Sequence, residues 1–171
     1  VNEALKWAHT ALDLSLKIGD TIGEAWAYYC LGLAELLGHQ FDKAIISFTK
    51  SVDIRTALNA FPLIVESRAG LVNAYWELGD QVSAEEEAEK IIQYMENDKS
   101  FEGAEEPLRI YLALYNNLIK QKDPRAEVVL QNAKQLLDAQ VSKLRSDESR
   151  RMFVQNVPWR RAIHELQSSQ A

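Results

Sequence analysis

The sequence holds one cysteine, Cys30, with three histidines, four prolines and seven glycines in 171 residues. One thiol cannot close an internal disulfide, so stability has to come from a buried core, and a lone Cys fits a reducing, cytoplasmic setting. So few prolines and glycines exclude an all-β fold built on tight turns. His9, His39 and His164 lie far apart, without the spacing of metal ligands, and no metal is expected. Gly19 and Gly23 read as a turn, not as a glycine-rich phosphate loop ending in Lys-Ser or Lys-Thr. No apolar run reaches the ~20 residues of a membrane-spanning helix. The most apolar region, 22–37, carries Glu24 and Glu35. Positive charge is also short: a net charge of −6 and a pI near 5.1 exclude capture of nucleic acid or anionic membrane by bulk charge. Cys30 reads as a small core filler and Glu85, Glu86 and Glu87 as a solvated helix start. No catalytic constellation or cofactor motif emerges, so the chain is expected not to be an enzyme.

What is present is helical periodicity. The chain is 47% hydrophobic and 26% charged, the balance of a globular domain with a continuous core. Ala4, Ala44 and Ala84 recur 40 residues apart. Ala8, Phe48 and Ala88 follow four residues on, then Ala11, Ser51 and Ile91 three further, which puts each set on one helix face. A looser copy has Ala126, Leu130 and Ala133. A second helix precedes three of these copies, over 25–38, 67–80 and 109–123. Leu78-Gly79-Asp80 predicts a helix stop followed by an N-cap. Asp123-Pro124 predicts an N-cap with proline at the first helical position. Thr21 and Glu24 suggest a capping box. Helix 2–18 lacks a preceding partner and the sequence starts at Val1 inside it, so a piece of a longer protein is expected.

The pattern resembles the tetratricopeptide repeat (TPR), whose signature is W-x2-L-G-x2-Y, then A-x3-F, then P. Tyr28, Leu31-Gly32 and Ala44-x3-Phe48 match it, with Glu35 where Tyr is usual. In the next repeat Tyr75 and Leu78-Gly79 match, while Val72 replaces the small Gly. The period of 40 exceeds the usual ~34. The resemblance implies an all-α, right-handed superhelix of about nine helices. Residues 1–145 would form the repeats and 146–171 the C-terminal capping helices of the same domain. The plain alternative for the alanines and aromatics is packing in a non-repeating α-bundle.

In such a stack the first helix of each repeat lines a concave groove. The inward candidates are Trp26, Tyr29, Leu33 and Leu36; then Glu66, Ala69, Asn73 and Trp76; then Arg109, Ala113, Asn116 and Asn117. Of these, Trp26, Tyr29, Asn73, Trp76, Arg109, Asn116 and Asn117 are the expected partner-binding residues, because aromatics with Asn and Arg offer stacking area and side-chain hydrogen bonds to a peptide backbone. The carboxylate clamp of chaperone-binding TPRs is not expected: Asn73 fits one place, but Tyr29 and Leu33 occupy two others.

The tail must close the last repeat. Ser146 or Asp147 can cap a short helix holding Met152, Phe153 and Val157. Val157-Pro158 breaks it, and Trp159, Ile163 and Leu166 form one apolar stripe of a final helix. Asp123-Pro124-Arg125-Ala126, Leu130, Ala133 and Met152-Phe153-Val154 through Asn156-Val157-Pro158 resemble the C-terminal TPR region of large bacterial regulators. In those proteins the repeats accompany an NTPase of the STAND or AAA type, a nucleotide cyclase, a kinase or a DNA-binding output domain. Residues 143–161 carry four more bases than acids, and residues 85–106 seven more acids than bases. Phe153 and Trp159 are expected to be buried, and the tail arginines to pair with neighbouring carboxylates or stay solvated rather than bind nucleic acid. The expected role is a protein–protein interaction or sensor arm binding a peptide or partner domain, another domain of its own parent chain included. A small-effector sensor is the alternative, with a nucleic-acid-binding helical repeat third.

Overall fold

The computed structural model describes residues 1–97 and 101–168. Asp98 and Lys99 of the acidic stretch, and residues 169–171 of the expected capping region, lie outside the described residues. Those described form nine helices and no strand: α1 Asn2–Ile18, α2 Thr21–Leu37, α3 Phe41–Ala57, α4 Phe61–Leu78, α5 Gln81–Glu96, α6 Pro107–Lys120, α7 Arg125–Ser142, α8 Asp147–Gln155 and α9 Pro158–Ser168. Among the described residues no helix is long and apolar enough to cross a membrane. The chain divides into two compact units, Val1–Glu105 and Glu106–Ala171.

In the first unit each helix packs on the next in sequence, and α2 also touches α4 across α3. The turns share one design. Gly19, His39, Asn59 and Gly79 all have positive φ, at successive steps of 20 residues. After each, the next backbone N–H reaches back five residues: Asp20 to Ser15, Gln40 to Glu35, Ala60 to Arg55 and Asp80 to Tyr75, at 2.9–3.0 Å. This is the Schellman closure, which satisfies carbonyls left open at a helix end. The 40-residue period is therefore two equal helix–turn units. Gly79 ends α4, so Leu78-Gly79 corresponds to the turn at His39 and not to Leu31-Gly32. The predicted capping box at Thr21 is corrected: Asp20 is the N-cap, its carboxylate accepting the Gly23 N–H at 2.9 Å. Asp80 caps α5 as predicted, and hydrogen bonds from the Ser83 hydroxyl and N–H hold its carboxyl below the usual range.

The first core centres on Phe48, wholly buried with Tyr29, Ala44, Val52, Ile64, Leu71 and Ala74. A Cβ added at Gly32 would fall 2.7 Å from the Phe48 ring, and one at Gly70 2.5 Å from it, so the ring fits between two helices only because both positions lack side chains. One period on, Val72 stands for Gly32 and Ala88 for Phe48, and both are buried. The large residue of the period thus stands on the second helix of one repeat and on the first helix of the next. Glu35, at the usual Tyr position, is buried and accepts the Ser47 hydroxyl at 2.6 Å. On α1 the repeat positions Ala4 and Ala11 are exposed, because α1 packs only on α2 among the helices of its unit.

In the second unit α6 and α7 pair, and α9 packs on both. Leu108, Ala133, Leu137, Val154 and Ile163 form its core. Ser146 caps α8 through the Ser149 N–H, and α9 starts at Pro158 after the predicted break. The expected N-cap at Asp123 is corrected by one residue: α7 starts at Arg125 with Pro124 as its N-cap, and Asp123 accepts the Arg125 N–H at 2.8 Å from outside the helix. Phe153 and Trp159 lie against the core half-buried, not fully buried as predicted.

Candidate functional site

Within each unit the residues predicted to bind a partner divide between core and surface. In the first unit Tyr29 is 1% exposed and belongs to the Phe48 core, its ring 6.0 Å from that of Phe48. It is corrected to a packing residue: its ring is buried in the core beside Phe48, with the Arg55 guanidinium stacked on it. Trp26, one turn earlier, is 40% exposed. Trp76 is half-buried. Asn73 shares a shallow hollow with Leu36, Leu37, His39, Phe41 and Glu77, so two of the expected inward positions, Leu36 and Asn73, do meet there.

In the second unit Asn117 is wholly buried and accepts a hydrogen bond from Gln121. It is likewise corrected to a structural residue, since one helical turn between the two lets the amides join inside the fold. Asn116, its neighbour, is exposed. Arg109 is half-buried and its guanidinium stacks 4.8 Å from the centre of the Trp159 ring, which makes it part of the packing under α9.

Two of the tail arginines, Arg150 and Arg160, meet carboxylates. Glu106 accepts the Trp159 indole N–H at 3.0 Å and the Arg160 guanidinium at 2.8 Å. Arg160 also stacks over Phe153, and Arg150 pairs with Asp147. Replacing Glu106 by Ala should cost about 1–2 kcal/mol in urea unfolding, because two donors lose a charged acceptor in a partly screened site. The Trp159 indole N–H resonance should move at the same time, and Glu106→Gln should lose less.

The most built site is one the sequence reading missed. Ile22, Ala25 and Trp26 from α2, Arg55 and Leu58 at the end of α3, Ala60, Leu63 from α4 and Glu105 line a pocket of about 460 Å³ in the first unit. Its walls are mainly apolar, and Ile22, Trp26 and Leu58 all stand exposed around it. The loop bearing Glu105 is held by Phe101, buried and stacked on Tyr94, and by Gly103 beside Pro62.

Arg55 forms the floor and is 2% exposed. Its Nη1 donates to the Leu63 carbonyl at 2.6 Å and to Ser67 Oγ at 2.8 Å. Ser67 meets Ser51 at 3.0 Å, and the Ser51 hydroxyl lies 2.9 Å from the Ala25 carbonyl. The buried carboxylate of Glu66 lies 4.0 Å from Nη1, and the Tyr29 ring stacks 4.7 Å from the guanidinium carbon. Burial pushes the Arg55 guanidinium below its ordinary pKa, and Glu66 pushes it back up. Three helices are thus tied through one arginine. Nothing local marks it: an Arg in the last turn of a helix ordinarily faces solvent and the helix dipole. Among the described residues no three His, Cys, Asp or Glu side chains gather as metal ligands would. Against known proteins, the chain matches no family model, no curated protein and no solved structure.

Proposed function

We infer that this chain is a non-catalytic protein–protein interaction or sensor module of a bacterial regulatory protein, acting in the cytoplasm. On this reading its helix pairs continue as a right-handed TPR-like superhelix that holds a peptide or a partner domain. The equal helix–turn units, the α2–α4 contact and the Gly32–Phe48 fit support the repeat reading. The observation that carries the binding reading is the open apolar pocket with exposed Trp26, Ile22 and Leu58 around it. Exposed apolar groups gathered around a hollow are the usual mark of a recognition surface.

The test is affinity capture from the source lysate with the chain and its Trp26→Ala variant, both checked for equal helicity. A protein retained by the first and lost at least tenfold by the second, about 1.4 kcal/mol, supports the reading. Equal retention by both would overturn the pocket as the working surface. A small-effector sensor is the second reading, favoured by the pocket volume, which falls within the ~300–1,000 Å³ usual for ligand sites.

A further inference from the structure

The pocket also carries information about the chemistry of what enters it. Arg55 is not an open cation: the Glu66 carboxylate lies 4.0 Å from it, Glu105 acts on it more weakly through space, and the Arg55 and Glu66 side chains are almost fully buried. The charged group left at the pocket with ready access to solvent is the Glu105 carboxylate, whose residue is exposed. The unit around it is strongly acidic: residues 1–105 hold eight Lys and Arg against eighteen Asp and Glu. The walls are aliphatic and indole surface.

An occupant that matches this site has an apolar or aromatic body for Ile22, Trp26, Leu58 and Leu63, and a positive group beside it for Glu105. We propose that the pocket anchors a basic–hydrophobic peptide segment, taking one large apolar side chain while a flanking Lys or Arg pairs with Glu105. The proposal rests on the partner-binding reading above and names the chemistry of the partner. An acidic segment would meet Glu105 and the field of the unit with like charge, and among the described residues the one cation lining the pocket, Arg55, is buried and faces the Glu66 carboxylate.

The experiment uses the full chain and three short probes, acetyl-Lys-Trp-Lys-amide, acetyl-Gln-Trp-Gln-amide and acetyl-Glu-Trp-Glu-amide. Binding is followed at millimolar concentration by amide and indole N–H shifts in ¹H–¹⁵N spectra. The expected order is Lys before Gln before Glu, spanning about tenfold in affinity at low ionic strength and narrowing as salt is added. Shifts should map to Ile22, Trp26 and Leu58. Glu105→Gln, at an exposed position where folding is not at risk, should bring the Lys and Gln probes to within about twofold of each other. Trp26→Ala should weaken all three.

Equal or tighter binding of the Glu probe would show that Arg55 governs the site and would overturn the proposal. So would shifts confined to another surface, such as the hollow at Asn73, or no shift with the Lys probe. The lysate capture separates the two claims. If Trp26→Ala abolishes capture but the probes show no charge preference, partner binding stands and the basic–hydrophobic assignment falls. If the Lys probe binds as expected while capture is unchanged by Trp26→Ala, the pocket chemistry stands and the partner reading falls.

Discussion

Phe48→Ala should destabilise the first unit by about 3–5 kcal/mol, the range for removing a fully buried ring. Phe48 is wholly buried, and its ring touches α2 through Gly32 and α4 through Gly70, so its loss opens a cavity shared by three helices. Urea unfolding followed by far-UV circular dichroism reads the change as a lower midpoint at constant slope. The reverse substitutions make the argument specific. Gly70→Ala puts a Cβ 2.5 Å from the ring, so overpacking of about 1–3 kcal/mol should exceed the ~0.5–1 kcal/mol that Ala contributes over Gly in a helix. Phe48→Leu, poorly tolerated alone, should recover part of that loss when combined with Gly70→Ala. If Gly70→Ala proves stabilising on its own, the ring is not held as tightly as the contact implies.

Arg55→Ala should cost about 3–5 kcal/mol, as expected when one partner of a buried ion pair is removed. The loss has three sources in the structure: Glu66 is left buried without its cation, the Leu63 carbonyl and Ser67 lose a charged donor, and Tyr29 loses its stacked guanidinium. Replacing both charges by apolar residues of similar volume, Arg55→Met with Glu66→Leu, should recover most of that stability, since the desolvation of both ions disappears together. The measurement is a double-mutant cycle in urea. A coupling near zero, or an Arg55→Ala variant within ~0.5 kcal/mol of the parent, would mean that the network does not hold the pocket floor. The Arg55→Ala variant should also lose the peptide preference expected of the pocket, because the ends of α2, α3 and α4 would no longer be tied together.

Much of the architecture was legible in the chain. The Ala and Phe spacing located the helices, Gly79-Asp80 marked a stop and a cap, and Pro158 marked the break before the last helix. The finer 20-residue step stayed hidden because His39 and Asn59 hold the left-handed turns that Gly19 and Gly79 hold elsewhere. These residues tolerate that conformation better than most, but they do not advertise it as Gly does. The cap of α2 was misplaced by one residue because Asp20 and Thr21 are both good caps, and only the Gly23 bond decides between them.

The candidate site was legible only in part. Trp26 stands exposed at a pocket, whereas Tyr29, three residues on along the same helix, is buried in the core. The sequence by itself determined where helices begin, run and turn, since those choices depend on side chains a few residues apart and on backbone hydrogen bonds within one turn. Tertiary structure decided which aromatics face solvent, and that Arg55 lies under a pocket with Glu66 beneath it and Glu105 beside its opening. Those outcomes depend on groups 11 to 50 positions away along the chain, and on how much room the residues of neighbouring helices leave, which no local spacing records.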